Sequence, residues 1–229
     1  LKWAGSFLTL VGQIKKDSKS GEAPTWSYVL QSTEGNIGGE DNGMKSAPIE
    51  VFHAVGKILP ESNALKVSNA VLRASGAQLS INGDFITGDR ETAGVKLEAR
   101  LTKGTSPILK SFWPRSVAPR AREWSRSHLR TVQSLNGEMQ FLSGIYAQTN
   151  TISNTSKLNE TLIMDFNAEK VEFLPWNKSQ QIFAPEVSLR IKDDDVDISI
   201  PEAFILSENT KNLVLKDGRF YAKGIDDLE

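Results

Sequence analysis

Few side chains in this chain of 229 residues are of a kind that does chemistry. There is no cysteine, which removes disulfides, thiolate metal sites and thiol nucleophiles. Of the two histidines, His53 stands in Val51-Phe52-His53-Ala54-Val55, where a core or strand-edge imidazole is the expected role. His128 stands near the end of a basic segment, placed to meet the last-turn carbonyls of a helix. The run Asp193-Asp194-Asp195-Val196-Asp197 has the composition of a calcium loop without its spacing. Counting from Asp193, the sixth position is Ile198 where a loop needs Gly, and the twelfth is Phe204 where it needs Glu. A turn between a strand ending at Lys192 and one starting at Val196 accounts for the run better. No G-x-S-x-G elbow, Walker loop, H-E-x-x-H or G-x-G-x-x-G occurs. The expectation is therefore a protein that is not an enzyme, with no catalytic residue, metal ligand or cofactor.

Charge is unevenly placed. From Ser106 to Arg130 there are six cations (Lys110, Arg115, Arg120, Arg122, Arg126, Arg130) against Glu123 alone, whereas Glu160 to Glu229 holds fifteen acids and eight cations. Five arginines with Trp113 and Trp124 have the makings of a phosphate-gripping, base-stacking surface, but the pI of 6.2 is far from that of nucleic-acid binders. No nucleic-acid partner is expected.

The same segment is the one stretch that reads as helix. Trp113-Pro114 breaks the chain, Ser116 can cap, and Pro119 falls in the first turn, where a missing N–H does no harm. Val117, Ala121, Trp124 and Leu129 then form an apolar stripe at helical spacing. That stripe packs on a sheet; a lid over one end of a groove, with arginines on phosphate groups, is the functional reading of the same helix.

Elsewhere the pattern has period two, the mark of half-buried antiparallel strands. Val95, Leu97, Ala99 and Leu101 alternate with Lys96, Glu98, Arg100 and Thr102, and similar alternation carries Leu79 and Ile81, Val187, Leu189 and Ile191, Ile198 and Ile200, and Leu213 and Leu215. Asn82-Gly83 and Asp217-Gly218 read as hairpin turns, and 35–43, 149–159 and 18–24 as loops. The motif running from Asn69 to Phe85 resembles that from Glu202 to Phe220, each a strand, a second strand, a Gly turn and an aromatic, as in a repeating β unit. No βαβ rhythm appears, so the sheet is mainly antiparallel. Three parts follow: a first β unit (1–105), the helical segment (106–130) and a second β unit (131–229). No run of eighteen apolar residues spans a membrane and no signal peptide is visible, and the chain reads as a piece of a longer protein.

The segment W-P-x-x-[VL]-A-P-x-[AT]-R-x-W, here Trp113, Pro114, Ala118, Pro119, Ala121, Arg122 and Trp124 followed by a polar stretch and Leu129, resembles the signature of the bacterial AsmA-like proteins of the YhdP/TamB group. The likeness is densest from Ile108 to Leu129 and looser toward the end; Gly137 comes later after the helix than the family pattern has it. The resemblance implies a strongly twisted antiparallel sheet forming an open apolar groove, and non-enzymatic phospholipid transport in the bacterial periplasm. It also implies an inner-membrane anchor outside this chain and possible envelope protein partners. Leu79, Ile81, Val95, Leu97, Ala99, Leu101, Val187, Leu189, Ile191, Ile198, Ile200, Leu213 and Leu215 are then the groove candidates, with ordinary core packing as the other role open to each. A closed β-sandwich serving as a structural or protein-interaction module of the envelope is the alternative.

Overall fold

Side chains that alternate in polarity give a segment one greasy and one wet face, and the alternating segments of this chain are strands. The structure, a computed structural model, describes residues 7–17, 23–37, 46–89, 91–113, 119–148, 160–174, 181–206 and 213–223. In chain order the elements are β1 (Phe7–Leu8), β2 (Val11–Asp17), β3 (Thr25–Ser32), β4 (Gly35–Ile37), β5 (Ala47–Leu59), a 3₁₀ turn (Pro60–Ser62), β6 (Ala64–Ala74), β7 (Ala77–Ile86) and β8 (Gly94–Gly104). The helices α1 (Ser106–Phe112) and α2 (Pro119–His128) follow, then β9 (Leu129–Gly144), α3 (Ile145–Gln148), β10 (Glu160–Phe173), β11 (Gln181–Lys192), β12 (Asp195–Leu206) and β13 (Leu213–Ala222).

The strands form a 13-stranded sheet in which neighbours are antiparallel, as the lack of crossover helices requires. From β5 to β13 each strand pairs with the next in sequence; at the other side β3 and β4 both line β5, β2 lines β3 and β1 lines β4. The edges β2 and β13 do not pair with each other, so the sheet is open rather than a barrel. The helical segment does not divide it. β8 pairs with β9 from Gly94↔Gly144 to Leu101↔Gly137, joining the strands on either side into one sheet.

Register decides which residues share a face. Gly12, Leu30, Ala54, Ala70, Ile81, Ala99, Met139, Met164, Ile191, Val196 and Ala222 stand opposite one another from β2 to β13. A parallel row runs Phe52, Leu72, Leu79, Leu101, Gly137, Phe166, Leu189, Ile198, Phe220. Every member is apolar or glycine. One residue along, the row reads His53, Val71, Ser80, Arg100, Glu138, Asp165, Arg190, Asp197, Tyr221 and points to the other face, where Arg190 pairs with Asp165 at 3.3 Å and Arg219 with Asp197 at 2.6 Å.

Two glycine dipeptides read as turns are not turns. Asn82-Gly83 lies within β7 and Asp217-Gly218 within β13. Gly83 faces the apolar side, where a Cβ would collide with the Lys96 carbonyl and Leu97 lies against it; Asp217 has left-handed backbone at φ 53°, and Leu215 lies against Gly218. Gly56 accommodates Tyr28 and Gly137 accommodates Phe166 in the same way, so a glycine on one strand makes room for a large side chain on the next. The two similar motifs are thus the β6–β7 and β12–β13 hairpins, with their glycines in mid-strand. The β6–β7 turn is instead Ser75-Gly76, at φ 49° and 77°, the positive values a type I′ turn needs. Asp193-Asp194 makes the β11–β12 turn, with β12 starting at Asp195, one residue earlier than expected. Residues 35–37 are strand rather than loop; the rest of that loop from 38, most of 18–24 and all of 149–159 lie outside the described residues.

Gly137→Ala would press a Cβ against the Asp165 carbonyl and the Phe166 ring, and is expected to destabilise the fold by about 1–3 kcal/mol in urea unfolding. Asp193, an exposed residue of the β11–β12 turn, tests a carboxylate that the chain ties down. Its N–H donates to the Leu162 carbonyl at 2.7 Å, and its Oδ1 accepts from the Leu162 N–H at 2.8 Å. Partial desolvation of the carboxyl raises its pKa against the lowering pull of the Leu162 N–H and of Lys192. A raised carboxyl pKa means the folded state loses stability as pH climbs from the ordinary carboxylate range through the folded value. Asp193→Asn keeps an acceptor, tolerates the left-handed backbone at φ 55° and removes the charge. It should melt higher than the parent at pH 7, and the gap should close on acidification below the ordinary carboxylate range.

Candidate functional site

The segment of tryptophans, prolines and arginines forms two short helices where one was expected. α1 carries Pro107 in its first turn and ends at Trp113, whose N–H donates to the Leu109 carbonyl at 3.0 Å. α2 opens on Pro119, which has no N–H to leave unsatisfied. In the same turn the Ala121 N–H meets the Asp194 carboxylate at 3.4 Å, a negative group beside the positive end of the helix. At the other end Lys110 Nζ, from α1, donates to the carbonyls of Leu129 at 3.0 Å and Arg126 at 3.4 Å, and the Leu174 N–H donates to the His128 carbonyl at 2.9 Å. Arg122 Nε donates to the Trp113 carbonyl at 3.1 Å. Desolvation, and then the nearby charges of Arg126 and Arg130, hold the Lys110 pKa below the ordinary lysine value. Pro114, Ser116, Val117 and Ala118 lie outside the described residues.

Of the expected stripe, Ala121 and Trp124 are buried from α2, while Leu129 is buried as the first residue of β9. The Trp124 indole lies between the rings of His128 (centroids 5.1 Å apart, 9° between planes) and Phe220 of β13 (5.6 Å, 16°). His128 Nδ1–H donates to the Trp124 carbonyl at 3.0 Å, one turn back, so its ring serves the helix end.

The thirteen groove candidates lie in the β7, β8, β11, β12 and β13 positions of the apolar face, and they divide by cover. Leu79, Leu101, Val187, Leu189, Ile191, Ile198 and Ile200 are buried in one core with Ile108, Leu109, Trp113, Ala121 and Trp124 of the helices. Ile81, Val95, Leu97 and Ala99 are half-buried. Leu213 and Leu215, on the edge strand, are 62% and 38% exposed. The helices make this difference: α2 reaches from Asp194 at the β11–β12 turn, past Phe220, to Leu129 opposite Phe173. The crevice among Leu109, Leu129, Val132, Leu135, Val171 and Phe173 measures about 10 Å³, which is room for about one water. Under the helices the face is therefore packed core.

The remainder of the face is uncovered, and there the structure adds residues that were not among the candidates. One row runs Tyr28, Gly56, Val67, Gly83, Leu97, Phe141 and the next Trp26, Ile58, Leu65, Phe85, Val95. Apart from Tyr28, whose hydroxyl donates to the Lys66 carbonyl at 3.2 Å, the large side chains here are half-buried or exposed. Alternation in β5 and β6 is the signal for Ile58, Leu65 and Val67, but the bulge at Ser68-Asn69 breaks its phase.

The opposite, polar face carries two open hollows of about 500 Å³ and 370 Å³. Asn82, Glu98, Arg100, Glu138, Gln140 and Asp165 line the first; Asn167, Arg190, Asp197 and Arg219 are in the second. Among the described residues no group of three or more His, Asp or Glu is placed to hold a metal ion. His53 has Gln31 and Val71 as cross-strand neighbours, neither an acid–base group. No helix among the described residues is long and apolar enough to cross a membrane. Comparisons with protein-family models, curated proteins and solved structures found nothing that matches the chain.

The division of the face is measurable. Leu189→Ala, in the covered core, should cost about 2–5 kcal/mol in denaturant unfolding. Leu97→Ala, at a half-exposed position, should cost well under half as much; equal losses would mean that the whole face is sealed.

Proposed function

We propose that this chain binds the acyl portion of a phospholipid on its apolar sheet face and helps to conduct it, without covalent chemistry. The observation that carries this reading is an apolar face that the chain's own helices cover only in part, leaving Trp26, Ile58, Leu65, Phe85, Val95 and Leu97 half-buried or exposed side by side. Apolar surface gathered in this way gains free energy by covering itself with something equally apolar. An acyl chain makes no hydrogen bonds and asks for none. The row from Tyr28 to Phe141 crosses five inter-strand steps, about 24 Å at ~4.8 Å each, longer than the ~15 Å depth of hydrocarbon in one leaflet.

The likeness of the Trp113–Trp124 segment to the AsmA-like signature supports placing this activity in a bacterial periplasm, between inner and outer membrane. An inner-membrane anchor would then lie in regions outside the chain, with envelope proteins as further partners. The dry core under the helices favours a second reading, a structural or protein-interaction module of the envelope.

Native mass spectrometry of the purified chain, mixed with phosphatidylethanolamine and phosphatidylglycerol, tests the first reading. Bound phospholipid is expected, and Leu97→Asp should abolish it while circular dichroism and melting show a folded protein. A folded parent chain that holds no phospholipid would favour the second reading.

A further inference from the structure

We infer that Lys16 is the anion-binding end of the uncovered strip: a phospholipid lies across the strands with its phosphate at Lys16 on β2 and its acyl chain directed toward β6 and β7. This rests on the acyl-binding reading above and adds to it a head-group position and a direction.

The outer row of the strip, followed to its ends, runs Lys16, Trp26, Ile58, Leu65, Phe85, Val95, Ser143, Glu160, from β2 to β10. Every member is half-buried or exposed. The row beside it, Ile14, Tyr28, Gly56, Val67, Gly83, Leu97, Phe141, Leu162, carries no charge. The charges of the two rows are therefore one ammonium and one carboxylate, at opposite ends of the same row. The inter-strand steps between them add to about 34 Å at ~4.8 Å each, far beyond the ~10 Å screening length, so each charge acts on its own surroundings.

Period two puts Lys16 on the apolar face and its neighbours Lys15 and Asp17 on the other, where the Asp17 carboxylate accepts from the Ser27 hydroxyl. The Lys16 ammonium lies over the Trp26 ring, 6.0 Å from its centroid, within reach of a cation–π attraction. Trp26 thus holds the cation at the mouth of the strip and is itself the first apolar surface beyond it. A phosphate at Lys16 meets an opposite charge where hydrocarbon begins, which matches the order of polar and apolar parts in a phospholipid. Glu160 repels a phosphate, so the two ends of the row are not equivalent. A lysine on an edge strand also discourages strand pairing. Edge protection does not account for the carboxylate, because β10 lies between β9 and β11. Length fits the same direction: hydrocarbon about 15 Å long that starts beside Lys16 crosses about three strand steps at ~4.8 Å. It reaches Leu65 and Phe85 and stops short of Glu160.

Photocrosslinking on the intact chain tests the assignment. Phosphatidylglycerol carrying a diazirine on its acyl chain, either beside the ester or at the chain terminus, is supplied in phosphatidylglycerol vesicles, and adducts are mapped by mass spectrometry. In the parent the ester-side label should mark Trp26 and Ile58, and the terminal label Leu65 and Phe85. Lys16→Gln should lower the ester-side adducts on Trp26 about threefold, the weight of one exposed ion pair. Exchanging the charges, Lys16→Glu with Glu160→Lys, should move the ester-side adducts from Trp26 to Ser143, with circular dichroism showing both variants folded. Two labels that mark the same residues in the parent, or a parent pattern kept in either variant, would overturn the head-group position and leave acyl binding standing. No adduct from either label on any strand of the strip would overturn both.

Discussion

The structure depends on one constraint, that the strand register be held across the full width of the sheet. Side chains alternate faces with a period of two, so a slip of one residue at any pairing would put Arg100, Glu138, Asp165 and Arg190 where Leu101, Gly137, Phe166 and Leu189 now stand. The meander makes this demand locally satisfiable, since from β6 onward each strand answers only to its sequence neighbours. Where the alternation drifts, bulges restore it. Val67 and Ala70 of β6 face Gly83 and Ile81 of β7, so the extra residue is absorbed without turning the apolar set outward. Around Asp217, β12 and β13 shift phase together, so Ile200 meets Gly218 and Ala203 meets Leu215 on one face.

A face kept apolar over so many strands creates a covering problem, which the chain solves for about half its width. Large side chains beside cross-strand glycines fill the surface from within, as Tyr28 does at Gly56 and Phe166 at Gly137. The two helices seal the part near β9–β13. Their polar connections are chosen for the ends: a carboxylate from the β11–β12 turn at the start of α2, and an ammonium at its finish. The aspartate run is accordingly structural. Asp193 ties the turn to β10 and Asp194 ties it to the cover.

Much of this was legible in the residues. Strict alternation at 95–102 and 187–192, the lack of βαβ rhythm and the aspartate turn each led to what the structure holds. Glycine misled, because Asn82-Gly83 and Asp217-Gly218 carry the dipeptide of a hairpin while serving cross-strand packing, and only the register reveals the neighbour that requires a missing Cβ. Helix number was hidden in the same way, since Trp113-Pro114 marks a break whose meaning depends on α1 finding a seat at Ile108 and Leu109. Among the groove candidates, period two identified the face and was silent on cover. Leu97 and Leu189 have the same pattern around them, and what separates them is a helix that arrives from elsewhere in the chain.

The edges bear on what the uncovered face is for. A long open sheet invites another strand at either side, and natural sheets discourage this with charge and bulges. β2 ends in Lys15-Lys16-Asp17, while β13 takes left-handed backbone at Asp217 and carries Lys216 and Arg219. The interior of the uncovered face has no such device: across β5, β6, β7 and β8 its two outer rows contain Ile58, Leu65, Val67, Phe85, Val95 and Leu97, with glycine between, and no charge. Guarded edges beside an unguarded face disfavour a β-strand as the occupant and favour one that needs apolar area and no backbone partner. An acyl chain meets that description, and so does α2, which puts its indole on the same face where the chain supplies its own cover.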